Sequence, residues 1–134
     1  MFKIFKKENE VVEEEVEKVE DKNSGKISID DFAKVEITAG EIMSAEKVQN
    51  ADRLLKLEVN FGSETRQVIS GIADHFVNPE ELVGVKCPFV TNLEPRNIKG
   101  LESNGMILAV GGKNGVPFSL LNIGKDVPAG TRIS

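Results

Sequence analysis

Tryptophan and tyrosine are absent from this chain, and cysteine and histidine occur once each. A single cysteine permits no disulfide within the chain. Cys87 stands in a run of strand-like residues and reads as a buried small hydrophobe; its neighbour Lys86 is no case for an activated thiolate. His75, between Asp74 and Phe76, reads as a surface or packing residue rather than a base. No cluster has metal-ligand spacing, and there is no P-loop and no dinucleotide fingerprint. No catalytic residue, metal or cofactor is therefore expected. Long apolar runs are missing too, none approaching the roughly 18 residues of a membrane span. The opening Met-Phe-Lys-Ile-Phe-Lys-Lys has charge but no apolar region after it. No signal peptide or membrane partner is expected, and a cytoplasmic location is the default.

An excess of base is missing as well. The formal net charge is −5, which argues against a broad electrostatic grip on nucleic acid. The charge is uneven, however. Residues 1–25 hold eight acids and five lysines, and residues 26–134 hold fourteen acids and twelve bases. The near-neutral body leaves room for a small, shaped, positive site.

Residues 1–25 differ from the rest. Val12, Val16 and Val19 have helical spacing, but valine is a poor helix former and the acids at 13–17 repel one another. The segment reads as a charged, flexible linker or tail, with a short amphipathic helix as the other reading. Residues 26–134 read as one domain. Asp30 or Asp31 caps a short turn through Phe32 and Ala33. Strands follow over 35–48, over 55–59 with Leu55, Leu57 and Val59 alternating against Lys56 and Glu58, and over 65–70. Asn50-Ala51-Asp52 and 61–64 read as the turns between them. Asn78-Pro79-Glu80-Glu81-Leu82 reads as a one- to two-turn helix capped by Asn78. A fourth strand over 83–91 and a fifth over 106–110 complete the set. The fold class is all-β: a five-stranded OB-fold Greek-key barrel with a short helix between strands 3 and 4.

The segment from Asn92 to Met106 carries a proline, two glycines, three asparagines, Arg96, Lys99 and Ser103. A loop that only reverses the chain needs about three to five residues. Here Pro95, Gly100 and Gly105 are read as keeping the backbone irregular while amides, a hydroxyl and two cations face a partner. That inventory suits phosphates and base edges. Met106 offers an apolar surface under a base, although a methionine opening a strand also reads as core. Arg53 before the second strand, Lys56 on it and Arg66 on the third add cations, which also read as ordinary solvent-facing charges. The seven phenylalanines leave few stacking platforms: Phe61, Phe76, Phe89 and Phe118 all read as core, so shape and backbone reading is expected.

Several blocks carry a resemblance in one order. They are Asp31-Phe32-Ala33-Lys34-Val35-Glu36-Ile37-Thr38-Ala39-Gly40-Glu41-Ile42, Ala51-Asp52-Arg53-Leu54-Leu55-Lys56-Leu57, and Arg66-Gln67-Val68-Ile69-Ser70-Gly71-Ile72-Ala73. Pro79-Glu80-Glu81-Leu82-Val83-Gly84 and Asn92-Leu93-Glu94-Pro95-Arg96 follow, and Gly100 and Ser103-Asn104-Gly105-Met106-Ile107-Leu108-Ala109 close the series. Over about residues 28–134 the chain resembles the tRNA-binding domain. That domain occurs as a free-standing protein, at the C-terminus of bacterial methionyl-tRNA synthetases and in the endothelial monocyte-activating polypeptide. The resemblance implies an RNA-binding set of Arg53, Lys56, Arg66, Asn92, Arg96, Lys99, Ser103 and Met106. It also implies tRNA as partner, the catalytic part of a methionyl-tRNA synthetase in cis, and a homodimer. Residues 116–133, with Leu120, Leu121, Ile123 and Val127, would form the dimer extension or close the monomer's own core. Asn97 replaces a frequent cation of the family, which weakens phosphate contact there. The rival is a chaperone-like, protein-binding dimer of the same fold.

Overall fold

A computed structural model describes residues 25–134. The tether or helix expected over 1–25 lies, save for Gly25, outside the described residues. Two compact units divide between Lys34 and Val35. In the first, one helical turn, α1 (Ile29–Phe32), follows Ser28, whose Oγ accepts from the Asp31 N–H at 3.0 Å. The cap is thus Ser28, not Asp30 or Asp31. Those two acids fall in the first turn, beside the free N–H groups that favour negative charge. No helix among the described residues is long and apolar enough to cross a membrane.

The second unit is built on antiparallel strands. Three of them form a meander: β1 (Ile37–Val48), β2 (Ala51–Asn60) and β3 (Thr65–Ser70). β2 starts earlier than expected, because the turn is confined to Gln49 and Asn50, the latter at φ 64°, and Val48 already faces Ala51. Two short 3₁₀ turns, Ala73–His75 and Pro79–Leu82, then lead to β4 (Lys86–Val90). The second is the expected helix in tighter form. Its opening is closed by the Asn78 carbonyl accepting from Glu81 N–H, not by the Asn78 side chain.

The segment 92–106 is more ordered than its composition suggests. β5 (Arg96–Ile98) and β6 (Leu101–Ser103) form a hairpin with Arg96 opposite Ser103. Lys99 and Gly100 turn the corner at φ 55° and 84°, both positive as in a primed two-residue turn. Asn97 Oδ1 accepts from the Gly100 N–H at 2.9 Å and fixes it. The expected fifth strand divides at Leu108. β7 (Met106–Ile107) pairs with β4, whereas β8 (Ala109–Val110) leaves to pair with β9 (Ser119–Leu120). β10 (Arg132–Ile133) returns to the start of β1.

The main sheet runs β3-β2-β1-β4-β7. β1 serves both halves: residues 37–41 pair with β4 and residues 41–48 with β2, across an irregularity at Met43 that bends the strand. The ends of the sheet meet where Asn104 N–H donates to the Gln67 carbonyl at 2.8 Å. Inside lie Ile42, Leu55, Leu57, Val59, Val68, Cys87 and Phe89, all fully buried, so the alternation of β2 reads true. Phe61 meets Phe89 edge to face, ring centres 5.4 Å apart. Burial pushes the Cys87 thiol up to about 11, so it remains a neutral core atom near neutral pH.

Most of the C-terminal segment is stitched to its own body. Ile123 N–H donates to the Lys86 carbonyl, and Lys86 Nζ donates to the carbonyls of Lys125 at 2.8 Å and Val127 at 2.7 Å. Leu120 packs on the core, while Leu121, Val110 and Val116 are exposed.

Candidate nucleic-acid interface

Cross-strand register decides which cations face outward together. Leu55 and Leu57 point into the core, so Lys56 between them must point out. Glu46 of β1 stands opposite Lys56, and their charges meet at 3.2 Å. Beyond them the tip of the β1–β2 hairpin faces the tip of the β5–β6 hairpin. Between the tips lies an open groove of about 440 Å³ lined by Glu46, Lys47, Val48, Gln49, Lys56, Lys99 and Leu101. Lys56 and Lys99, distant in sequence, thus share one groove. Lys47 and Gln49 belong to it and were not among the expected residues. Their signal, a strand end beside a turn, gains meaning only once the second hairpin is in place.

The remaining expected residues divide by what their polar atoms already hold. Arg53 is on β2 rather than in a turn; it is exposed and pairs with Asp74 at 3.4 Å. Arg96 is exposed at the start of β5 with no acid partner among the described residues. Met106 is 44% exposed, so it is surface and not core.

Arg66, Asn92 and Ser103 are committed to hydrogen bonds with the protein's own backbone. Arg66 donates from Nη1 to the Thr91 carbonyl at 2.7 Å and from Nη2 to Glu64 at 2.9 Å, and its guanidinium lies 5.5 Å from the centre of the Phe61 ring. The hydrogen bond and charge of Arg66 hold the Glu64 carboxyl below its ordinary range. This arginine braces β3 against the end of β4. Asn92 Oδ1 accepts from the Glu36 N–H at 2.8 Å, tying the chain before β1 to the chain after β4. Ser103 is only 4% exposed, and its Oγ accepts from the Ile69 N–H at 2.9 Å and donates to the Gly105 carbonyl at 3.2 Å. Instead of facing a phosphate, this hydroxyl fastens the hairpin to β3. Ser103→Ala is expected to lower stability by about 1–3 kcal/mol, since it leaves a buried N–H without a partner. Chemical denaturation of the two proteins measures it, and an unchanged midpoint would count against the anchoring role.

Other groups are packing elements. His75 stacks on Phe118, ring centres 4.1 Å apart and planes 2° from parallel. Among the described residues no group of three or more His, Cys, Asp or Glu could hold a metal ion.

Residues 37–132 match the family model described as "Putative tRNA binding domain". The chain belongs to this family. A methionine–tRNA ligase of Methanospirillum hungatei is 54% identical over 107 residues, which are 80% of this chain and 15% of that ligase. The chain therefore spans less than a fifth of that ligase's length. Among solved structures, a MetRS-related protein from Pyrococcus horikoshii superposes with a TM-score of 0.76 at 37% identity, over 81% of this chain and 98% of that one. The chaperone CsaA of Bacillus anthracis gives 0.72 at 27% identity, over 82% and 100%.

Proposed function

We propose that this chain is the tRNA-binding module of a methionine–tRNA ligase, acting in the cytoplasm as an OB-fold face that reads RNA shape and backbone. Family membership over residues 37–132 carries the reading. The groove between the two hairpin tips supports it, with Lys47, Lys56 and Lys99 lining it and Arg96 on the same hairpin as Lys99. Among the described residues no aromatic ring lines that groove, which favours contact with phosphates and riboses over base stacking. The module performs no chemistry in this reading. Its contacts keep tRNA near a catalytic body on the same chain, converting a second encounter into an intramolecular one.

A homodimer extends the proposal. Val110, Val116 and Leu121, exposed on β8 and the segment after it, offer apolar surface for a second copy, and a two-fold pair would present two RNA faces in fixed relation. The likeness to chaperone CsaA supports a second reading, a protein-binding module. Salt separates the two. Binding of unfractionated tRNA is expected to weaken steadily with salt, with a log–log slope of about −0.7 to −0.9 per phosphate engaged. Filter binding across a salt series measures it. No binding even at low salt would sink the tRNA reading and favour the protein-binding one.

A further inference from the structure

Two of the outward-facing cations assigned to the RNA face are not free. Lys56 is held by Glu46 at 3.2 Å and Arg53 by Asp74 at 3.4 Å, each acid belonging to a different element from its cation. Both acids are exposed, with side-chain accessibilities of 65% and 56%. Such surface pairs contribute about 0–1 kcal/mol to stability. Their larger consequence is electrostatic. Glu46 lines the same groove as Lys47, Lys56 and Lys99, so a carboxylate stands where a phosphate would lie.

We propose that Glu46 is an affinity-limiting residue of the RNA site, a built-in competitor that occupies Lys56 until a phosphate displaces it. This inference rests on the tRNA-binding reading. Phosphate binding at Lys56 releases cations condensed on the RNA, but the displaced Glu46 carboxylate recruits a cation of its own. The pair therefore adds little to net counterion release and little to affinity. A module that must surrender tRNA after each reaction of the attached ligase is served by such a limit, because release often sets turnover. The same logic fits a near-neutral body that carries an RNA face without general stickiness toward polyanions.

The test is tRNA binding by Glu46→Gln across a salt series, with Glu80→Gln as control. Glu80 is exposed on the second 3₁₀ turn, so both substitutions change net charge equally while only one touches the groove. Glu46→Gln is expected to tighten binding about fivefold to tenfold near 50 mM salt and to steepen the slope by about 0.7–0.9, the value of one added phosphate contact. Glu80→Gln should leave the slope unchanged. In a Lys56→Gln background the gain from Glu46→Gln should vanish, because the carboxylate then has no cation to withhold. Wild-type binding with no change on Glu46→Gln, or an equal change on Glu80→Gln, overturns this inference alone. Absence of salt-dependent tRNA binding by the wild type overturns the tRNA-binding reading with it.

Discussion

Gly40→Ala is expected to damage the core of this fold, costing about 2–3 kcal/mol and lowering the melting temperature by roughly 10–20 °C. Gly40 is in β1 opposite Cys87 of β4, where the strand passes over the core. A Cβ there would lie 2.6 Å from Val59 Cγ1, 2.7 Å from Phe61 Cε1 and 2.9 Å from Phe89 Cδ1. None of these atoms can yield easily. Val59 and Phe89 are fully buried, and Phe61 is locked edge-on against Phe89. A close-packed interior passes such a clash on to its neighbours. The damage is steric and not a matter of backbone strain, since Gly40 is not among the residues of positive φ. Gly124→Ala is the control: nothing lies within 4 Å of its Cβ position, and its φ is not positive. Thermal melts of both variants decide the point. A Gly40→Ala protein melting within a few degrees of the wild type would mean the two rings can move apart.

The parts legible in the sequence were those governed by short-range patterning. Leu55, Leu57 and Val59 alternate with polar residues, and that period alone places β2 with its buried face. β3 was legible to its ends, because Gly62 and Gly71 punctuate it. The β5–β6 hairpin was not. Its strands have three residues each, too few for a period, and its corner is Lys-Gly rather than Asn-Gly. Composition rich in Pro, Gly and Asn then reads as irregular loop, although Asn97 was folding the turn upon itself.

The site divides in the same way. Outward-facing cations on strands follow from alternation, which is why the direction of the Lys56 side chain was legible. Arg66, Asn92 and Ser103 look like ligand groups in sequence because their polar atoms are visible and their partners are not. Those partners lie 25, 56 and 34 residues away. Only the folded chain brings Thr91, Glu36 and Ile69 to them. Lys47, Gln49 and Glu46 were missed for the converse reason. They face a hairpin some fifty residues distant, and no local pattern marks the groove. Buried polar groups nearly always have partners, so a polar residue in a β protein is a ligand candidate only after the backbone has been served.

That sorting yields the second large expected effect. Arg96→Ala combined with Lys99→Asn should weaken tRNA binding about 20- to 50-fold near 100 mM salt and flatten the salt slope by about 1.5–2. Both side chains are exposed, and neither holds an acid among the described residues. On the tRNA-binding reading each is expected to contribute a full phosphate contact, unlike Lys56, whose charge Glu46 already engages. Asparagine is the chosen replacement at 99 because the position has φ 55°, a conformation asparagine tolerates. The turn and its Asn97–Gly100 hydrogen bond should survive, so the melting temperature should stay where it was. Loss of binding at unchanged stability would tie affinity to charge on the β5–β6 hairpin. An unchanged salt slope in the double variant would move the RNA face off this hairpin. Lys47 and Lys56 in the groove and Arg53 beside the first 3₁₀ turn would then mark a different path for the RNA backbone.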